Sequence, residues 1–239
     1  IEDCITEGIT VDNGSKYCIV SSNKVYNCAI GGVGGIGSGW ISEENQIINN
    51  FIYNTKFGGP GGGNGIFING NKNLVSGNHL YNNTGYGVSV YGGNKLILDA
   101  TSLTRDGTTA TCVCSWFHFL NAGDTVVITG ATQSQYNGTF TVDSIINQGT
   151  FTYTVAGTPA SPATGTIKVE ISKSDKSYDN AITNNFLYGN QLGGINITGP
   201  ASDPSLAKTT VFNTVIANNY GDQVVNDLAN TTIFRSGTK

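Results

Sequence analysis

The chain has 239 residues, 38% of them hydrophobic and only 12% charged, so it has the apolar mass for a core and is no disordered polyampholyte. Its formal net charge is −4 and its Lys and Arg are scattered, which excludes a basic groove for nucleic acid. No apolar run reaches membrane-spanning length, so membrane insertion is not expected.

The first element, Gly8-Ile9-Thr10-Val11, reads as a short strand. It matches strands that come second in later repeats. The chain also contains no Met, so the sequence predicts a start in mid-coil within a larger protein. From there one phrase recurs: Asn, any residue, an aliphatic, then nearly always Tyr. It reads Asn23-Lys24-Val25-Tyr26, Asn50-Phe51-Ile52-Tyr53, Asn78-His79-Leu80-Tyr81 and Asn185-Phe186-Leu187-Tyr188, with a weaker Asn213-Thr214-Val215-Ile216. The leading asparagines are 27, 28, 107 and 28 residues apart. The long step exceeds a regular one by 79 residues, so a foreign segment interrupts an otherwise even array. A period of this size marks a solenoid, whose repeats bury their apolar faces only by stacking.

Each repeat places an aliphatic three residues before the asparagine (Val20, Ile47, Val75, Ile182, with Thr210 last) and another two after it. Polar residues alternate with these, so they read as short strands either side of a bend at the asparagine. Stacked asparagines can then bond from rung to rung. A second strand usually follows a glycine, as in Gly65-Ile66-Phe67-Ile68, Gly87-Val88-Ser89-Val90 and Gly194-Ile195-Asn196-Ile197. Alternation predicts that Phe67, Ser89 and Asn196 point outward on one exposed parallel sheet. The expected fold class is all-β: a right-handed single-stranded parallel β-helix over 1–95 and 174–239, with a small antiparallel β-barrel or sandwich inserted over 96–173.

The pattern of aliphatic, two residues, Asn, one residue, aliphatic, Tyr, then Gly-Ile-x-Ile resembles right-handed parallel β-helix proteins of the pectate-lyase-like superfamily. That group includes pectin lyases and hydrolases, alginate epimerases, adhesins and bacteriophage tailspikes. Fold alone does not choose among them.

Within 96–173 the asparagine phrase vanishes and Thr-rich strands are expected at 108–115, 124–129, 139–145, 150–155 and 166–171, with turns near Gly123, Asn137-Gly138 and 157–165. The runs Gly123-Asp124-Thr125-Val126-Val127-Ile128-Thr129-Gly130 and Tyr136-Asn137-Gly138-Thr139-Phe140-Thr141-Val142 look like a small β module of phage tail and baseplate proteins. Where that module usually has His-Gly-Leu, this chain has His118-Phe119-Leu120. The resemblance implies a virion tail protein, a tailspike or tail fibre, whose partners are host cell-surface polysaccharide, other tail proteins and two further copies in a homotrimer. It implies recognition of that polysaccharide, with depolymerisation by a hydrolase or lyase left open. A non-enzymatic adhesive protein and a secreted extracellular lyase or epimerase are the alternatives.

Two glycine-laden loops, in 31–39 and 58–64, are longer than their later counterparts and would wall a groove beside the exposed sheet. Neither carries the Lys-Ser or Lys-Thr end of a phosphate loop, and no cofactor is expected. Sugar recognition wants aromatic platforms and amides, which makes Trp40, Asn64, Phe67, Asn69, Tyr86 and Tyr91 the substrate-binding candidates. Glycoside hydrolysis wants two carboxyl groups, for which Glu43, Glu44 and Asp99 are nearest the edge. Each also reads as an ordinary solvated carboxylate. No metal site is expected, because Cys112 and Cys114 lack partners at metal-ligand spacing and no Asp cluster suits calcium. Cys4 and Cys28 fall on adjacent rungs, either as two small buried thiols, the favoured reading, or as a disulfide.

Overall fold

A computed structural model describes residues 1–4, 8–11, 14–28, 34–39, 41–56, 63–92, 96–172, 177–198, 211–221, 224–227 and 230–234, with backbone alone at 34, 211–213, 224–227 and 230–234. The chain is all-β among these residues and divides into two compact units, Ile1–Asn94 with Lys176–Lys239, and Lys95–Asp175.

In the first unit the successive repeats stack their strands into three parallel sheets, an arrangement compatible with a β-helix-like solenoid. The first sheet takes Ile19–Ser21, Gln46–Ile48, Leu74–Ser76, Ala181–Thr183 and Val211–Ala217, with Ser177–Tyr178 and Asn230–Phe234 also paired to Val211–Ala217. The second takes Lys24–Tyr26, Phe51–Tyr53, His79–Tyr81, Phe186–Tyr188 and Tyr220–Gly221. The third takes Ile9–Val11, Gly34–Ser38, Asn64–Ile68, Tyr86–Tyr91, Gly193–Thr198 and Val224–Asp227.

The core is a set of columns running through these sheets. Val25, Ile52, Leu80 and Leu187 pair in register and are fully buried. Val20, Ile47, Val75, Ile182 and Ile216 form a second buried column. The expected column therefore exists for its first four members. The last rung differs. Val215 pairs with Ala181 in the first sheet, and Ile216, not Thr210, follows Ile182. The rung asparagine there is Asn219 rather than Asn213, 34 residues after Asn185.

The reason lies in the bend. The ladder asparagine itself is not the left-handed residue; the one before it is. Ser22, Asn49, Gly77, Asn184 and Asn218 all have φ between 52° and 67°, just ahead of Asn23, Asn50, Asn78, Asn185 and Asn219. Asn213 lies inside the extended strand Val211–Ala217, with no such residue before it.

The glycine near the start of the third-sheet strands, Gly35 or Gly87, is there for room rather than for backbone freedom. A Cβ on Gly87 would meet Leu187 Cδ2 and the Gly194 carbonyl oxygen, each at 2.8 Å, and one on Gly35 would meet Ile52 Cγ2 at 2.5 Å. The aliphatic column thus presses directly on the glycine column.

The second unit is a closed antiparallel barrel of six strands: Leu96–Asp106, Thr109–Cys114, Thr125–Ala131, Gly138–Asn147, Thr150–Thr154 and Gly165–Ile171. Leu96–Asp106 is not among the strands expected from sequence. A register shift between Ala100 and Ser102 breaks its alternation, and it closes the barrel by pairing with both Thr109–Cys114 and Gly165–Ile171. Inside lie Val126, Ile128, Tyr136, Phe151, Tyr153, Val169 and Ile171, with Cys112 and Cys114 on one inward face.

Candidate functional site

Three asparagine ladders hold the rungs of the first unit. In the central one, the Asn50 N–H donates to Asn78 Oδ1 at 3.0 Å, Asn78 to Asn185 at 3.0 Å, and Asn185 to Asn219 at 3.0 Å. Each side-chain amide adds a bond to the same oxygen and another to a carbonyl of the rung below, as Asn78 Nδ2 does to Ile47 at 2.8 Å. A second ladder runs five residues earlier through Asn45, Asn73 and Asn180. A third runs five residues later through Thr55, Asn83 and Asn190. Buried amides satisfied this fully are scaffolding.

Aromatic rings stack on the second sheet in two columns, Tyr26–Tyr53–Tyr81 at 5.1 and 4.7 Å, and Phe51–His79–Phe186–Tyr220 at 4.6, 4.7 and 5.2 Å. The stacked faces are turned to one another, so these rings offer edges rather than open platforms to a ligand.

On the third sheet, Phe67 and Tyr91 are half-buried and come together with ring centroids 5.9 Å apart. Tyr86 lies at the opposite end of the Tyr86–Tyr91 strand, half-buried. Asn64 and Asn69 are almost fully buried; Asn64 Oδ1 accepts from the Tyr86 N–H at 3.0 Å, and Asn69 N–H donates to the Ser38 carbonyl at 2.7 Å. They serve the turn geometry. Ser89 and Asn196, expected outward and exposed, are 4% and 5% exposed. These short side chains sit in the same column as Phe67, with Asn196 Nδ2 donating to Ser89 Oγ at 3.3 Å. Trp40, residues 31–33 and residues 58–62 lie outside the described residues.

The carboxylate candidates are each paired with a lysine. Glu43 Oε2 accepts from Lys16 Nζ at 2.8 Å, one rung away, and this bond pushes the Lys16 ammonium above its ordinary value. Glu44 lies 3.8 Å from Lys72, and Asp99 lies 2.6 Å from Lys168. Glu43 and Glu44 belong to the first unit and Asp99 to the second. Among the described residues no group of three or more His, Cys, Asp or Glu could hold a metal. Cys4, Cys18, Cys28, Cys112 and Cys114 are all free thiols. Burial, with the Cys4 thiol alongside, raises Cys28 above its ordinary value.

The barrel holds a candidate that reasoning from sequence passed over. An open surface depression of about 630 Å³ is lined by Cys114, Ser115, Trp116, Phe117, Asn147, Gln148 and Gly149. Trp116 and Phe117 are 48% and 44% exposed, their rings nearly parallel with centroids 6.1 Å apart. Phe119 stands edge-on to both. The signal was the run Trp116-Phe117-His118-Phe119 in a connection between strands, where nothing about a barrel calls for three aromatics.

No protein-family model matches this chain, and no curated protein matches its sequence.

Proposed function

We propose that this chain is a tailspike-like or tail-fibre-like virion protein that recognises host surface polysaccharide, its first unit being a right-handed parallel β-helix of the pectate-lyase-like kind. The observation that carries the reading is the combination of parts: a ladder-stitched parallel stack, and a closed antiparallel barrel spliced in between Tyr91 and Ser177. A stack of this sort displays side chains along an extended face, suited to an extended polymer. Homotrimer formation and assembly with other tail proteins belong to the same proposal.

The lysine pairing of Glu43, Glu44 and Asp99 favours recognition without cleavage by these residues. A carboxylate held against a lysine ammonium is already engaged as an acceptor, which suits neither a general acid nor an unencumbered nucleophile. The test is to incubate the protein with capsule or lipopolysaccharide preparations and to measure retention, new reducing ends and unsaturated sugars. Retention without products supports recognition alone. Products that persist in Glu43→Gln and Glu44→Gln would place catalysis elsewhere. No retention on any preparation would defeat the proposal.

A further inference from the structure

We infer that the barrel carries its own saccharide subsite, a platform for a neutral hexose ring formed by Trp116 and Phe117 with the Asn147 and Gln148 amides at its rim. The inference shares with the proposed function the premise that the ligand is a glycan, but uses none of the solenoid residues.

Exposure comes first. Trp116 and Phe117 are adjacent, large and about half exposed, although a barrel with a filled interior leaves most turns polar. Isolated exposed apolar side chains need no explanation, but two near-parallel rings over one depression form a patch. Their centroids are 6.1 Å apart, wider than in the ring columns of the first unit, and each ring stays about half exposed.

The connection is also held rigidly. His118 is buried, and the Leu120 N–H donates to its Nδ1 at 3.0 Å. Nδ1 is therefore the acceptor and Nε2 carries the proton, which it donates to the Asn147 carbonyl at 3.1 Å. The His118 N–H donates to the Gln148 carbonyl at 3.0 Å, and the Cys114 N–H to the Gly149 carbonyl at 2.8 Å. One imidazole thus ties the aromatic connection to the segment that supplies the amides. Phe119 holds φ at 54°, a left-handed conformation that a bulky residue rarely adopts unless its surroundings force it. Its ring backs both exposed rings edge-on. Rigid aromatics bind at low entropic cost.

The chemistry of the lining selects the ligand. No charged side chain lines the depression, so nothing there would recognise a uronate, sialate or phosphate. A pyranose ring has an apolar C–H face that fits an aromatic plane, and hydroxyls that meet amides. Asn147 and Gln148 are exposed there; Asn147 Oδ1 accepts from the Gly149 N–H at 2.9 Å, which leaves its Nδ2 and the Gln148 amide to meet a hydroxyl. Neutral hexose is the ligand class that uses both features.

The test is a glycan array of neutral glucose-, galactose- and mannose-based oligosaccharides beside uronate- and sialate-containing ones. It is probed with the full chain and with Trp116→Ala, Trp116→Phe and Phe117→Ala, each checked by circular dichroism. Expected is retention on neutral spots, weakened about tenfold or more by Trp116→Ala and largely kept by Trp116→Phe. Should Trp116→Ala misfold, Phe117→Ala carries the same expectation. Undiminished binding in both alanine variants, or binding to charged glycans alone, would overturn the subsite while leaving the proposed function standing. Absence of any glycan binding would defeat both. A concentration-dependent oligomer abolished by Trp116→Ala, with no glycan retained, would assign the patch to a protein contact instead.

Discussion

The side-chain amide of Asn78 donates to Oδ1 of Asn185 at 2.9 Å, although 107 residues separate the two in sequence. The whole barrel lies between them in the chain, yet the ladder passes from one rung to the next as it does elsewhere. Asn185→Ala would leave the Asn78 N–H and side-chain amide without their common acceptor. Buried orphans cost about 1–3 kcal/mol each, so the variant is expected to lose about 3 kcal/mol or more in urea unfolding. Asn23→Ala, at the half-buried start of the ladder, is expected to lose about 1 kcal/mol.

Gly87→Ala tests the packing of glycine against the aliphatic column. Its Cβ would meet the Gly194 carbonyl oxygen, which cannot give way, as well as Leu187 Cδ2. Overpacking of this kind costs about 1–3 kcal/mol, and the expected outcome is a lower Tm. Truncating the partner in Gly87→Ala/Leu187→Val should recover part of that loss, because the side-chain contact is relieved while the carbonyl contact remains.

Ser38 offers the reverse experiment. It occupies a third-sheet column with Val11, Ile68, Val90 and Ile197, fully buried, and its hydroxyl has no hydrogen-bond partner. Replacing a buried hydroxyl that has no partner removes a desolvation cost, so Ser38→Ala is expected to stabilise the chain by about 1 kcal/mol. Thermal unfolding would show it as a raised Tm.

The Tyr26 hydroxyl donates to Glu2, and that bond is the main cause pushing its pKa up to about 12. The folded value lies above the unfolded one, about 10. The pair's contribution to stability is therefore fully present below about pH 10 and is lost as pH rises towards 12. Phenolate absorbance of Glu2→Gln at about pH 11 should report one more ionised tyrosine than the parent chain. Equal spectra would refute the assignment.

Much of the first unit was legible because its rungs are written in near-identical phrases. The full device is a five-residue step: Asn45, Asn50 and Thr55 in one rung, Asn73, Asn78 and Asn83 in the next, and Asn180, Asn185 and Asn190 after the barrel. Each bend pairs a left-handed residue with the ladder residue that follows it. Reading only the central asparagine missed two ladders and misplaced the final rung, where Asn213 imitates the phrase without the preceding bend. Ser89 and Asn196 misled because alternation gives direction but not cover. The barrel's first strand was hidden by its own register shift at Ala100–Ser102. The lysine partners of Glu43 and Glu44 lie on the neighbouring rungs, which only the stacking register brings alongside.

The most direct test of the glycan-recognition account is hydrogen–deuterium exchange of the full chain with and without a retained bacterial surface polysaccharide. The account predicts added protection at residues 115–121 and 147–149 of the barrel, and around Phe67 and Tyr91 in the stack. A polysaccharide held tightly with exchange unchanged in all of these segments would contradict it.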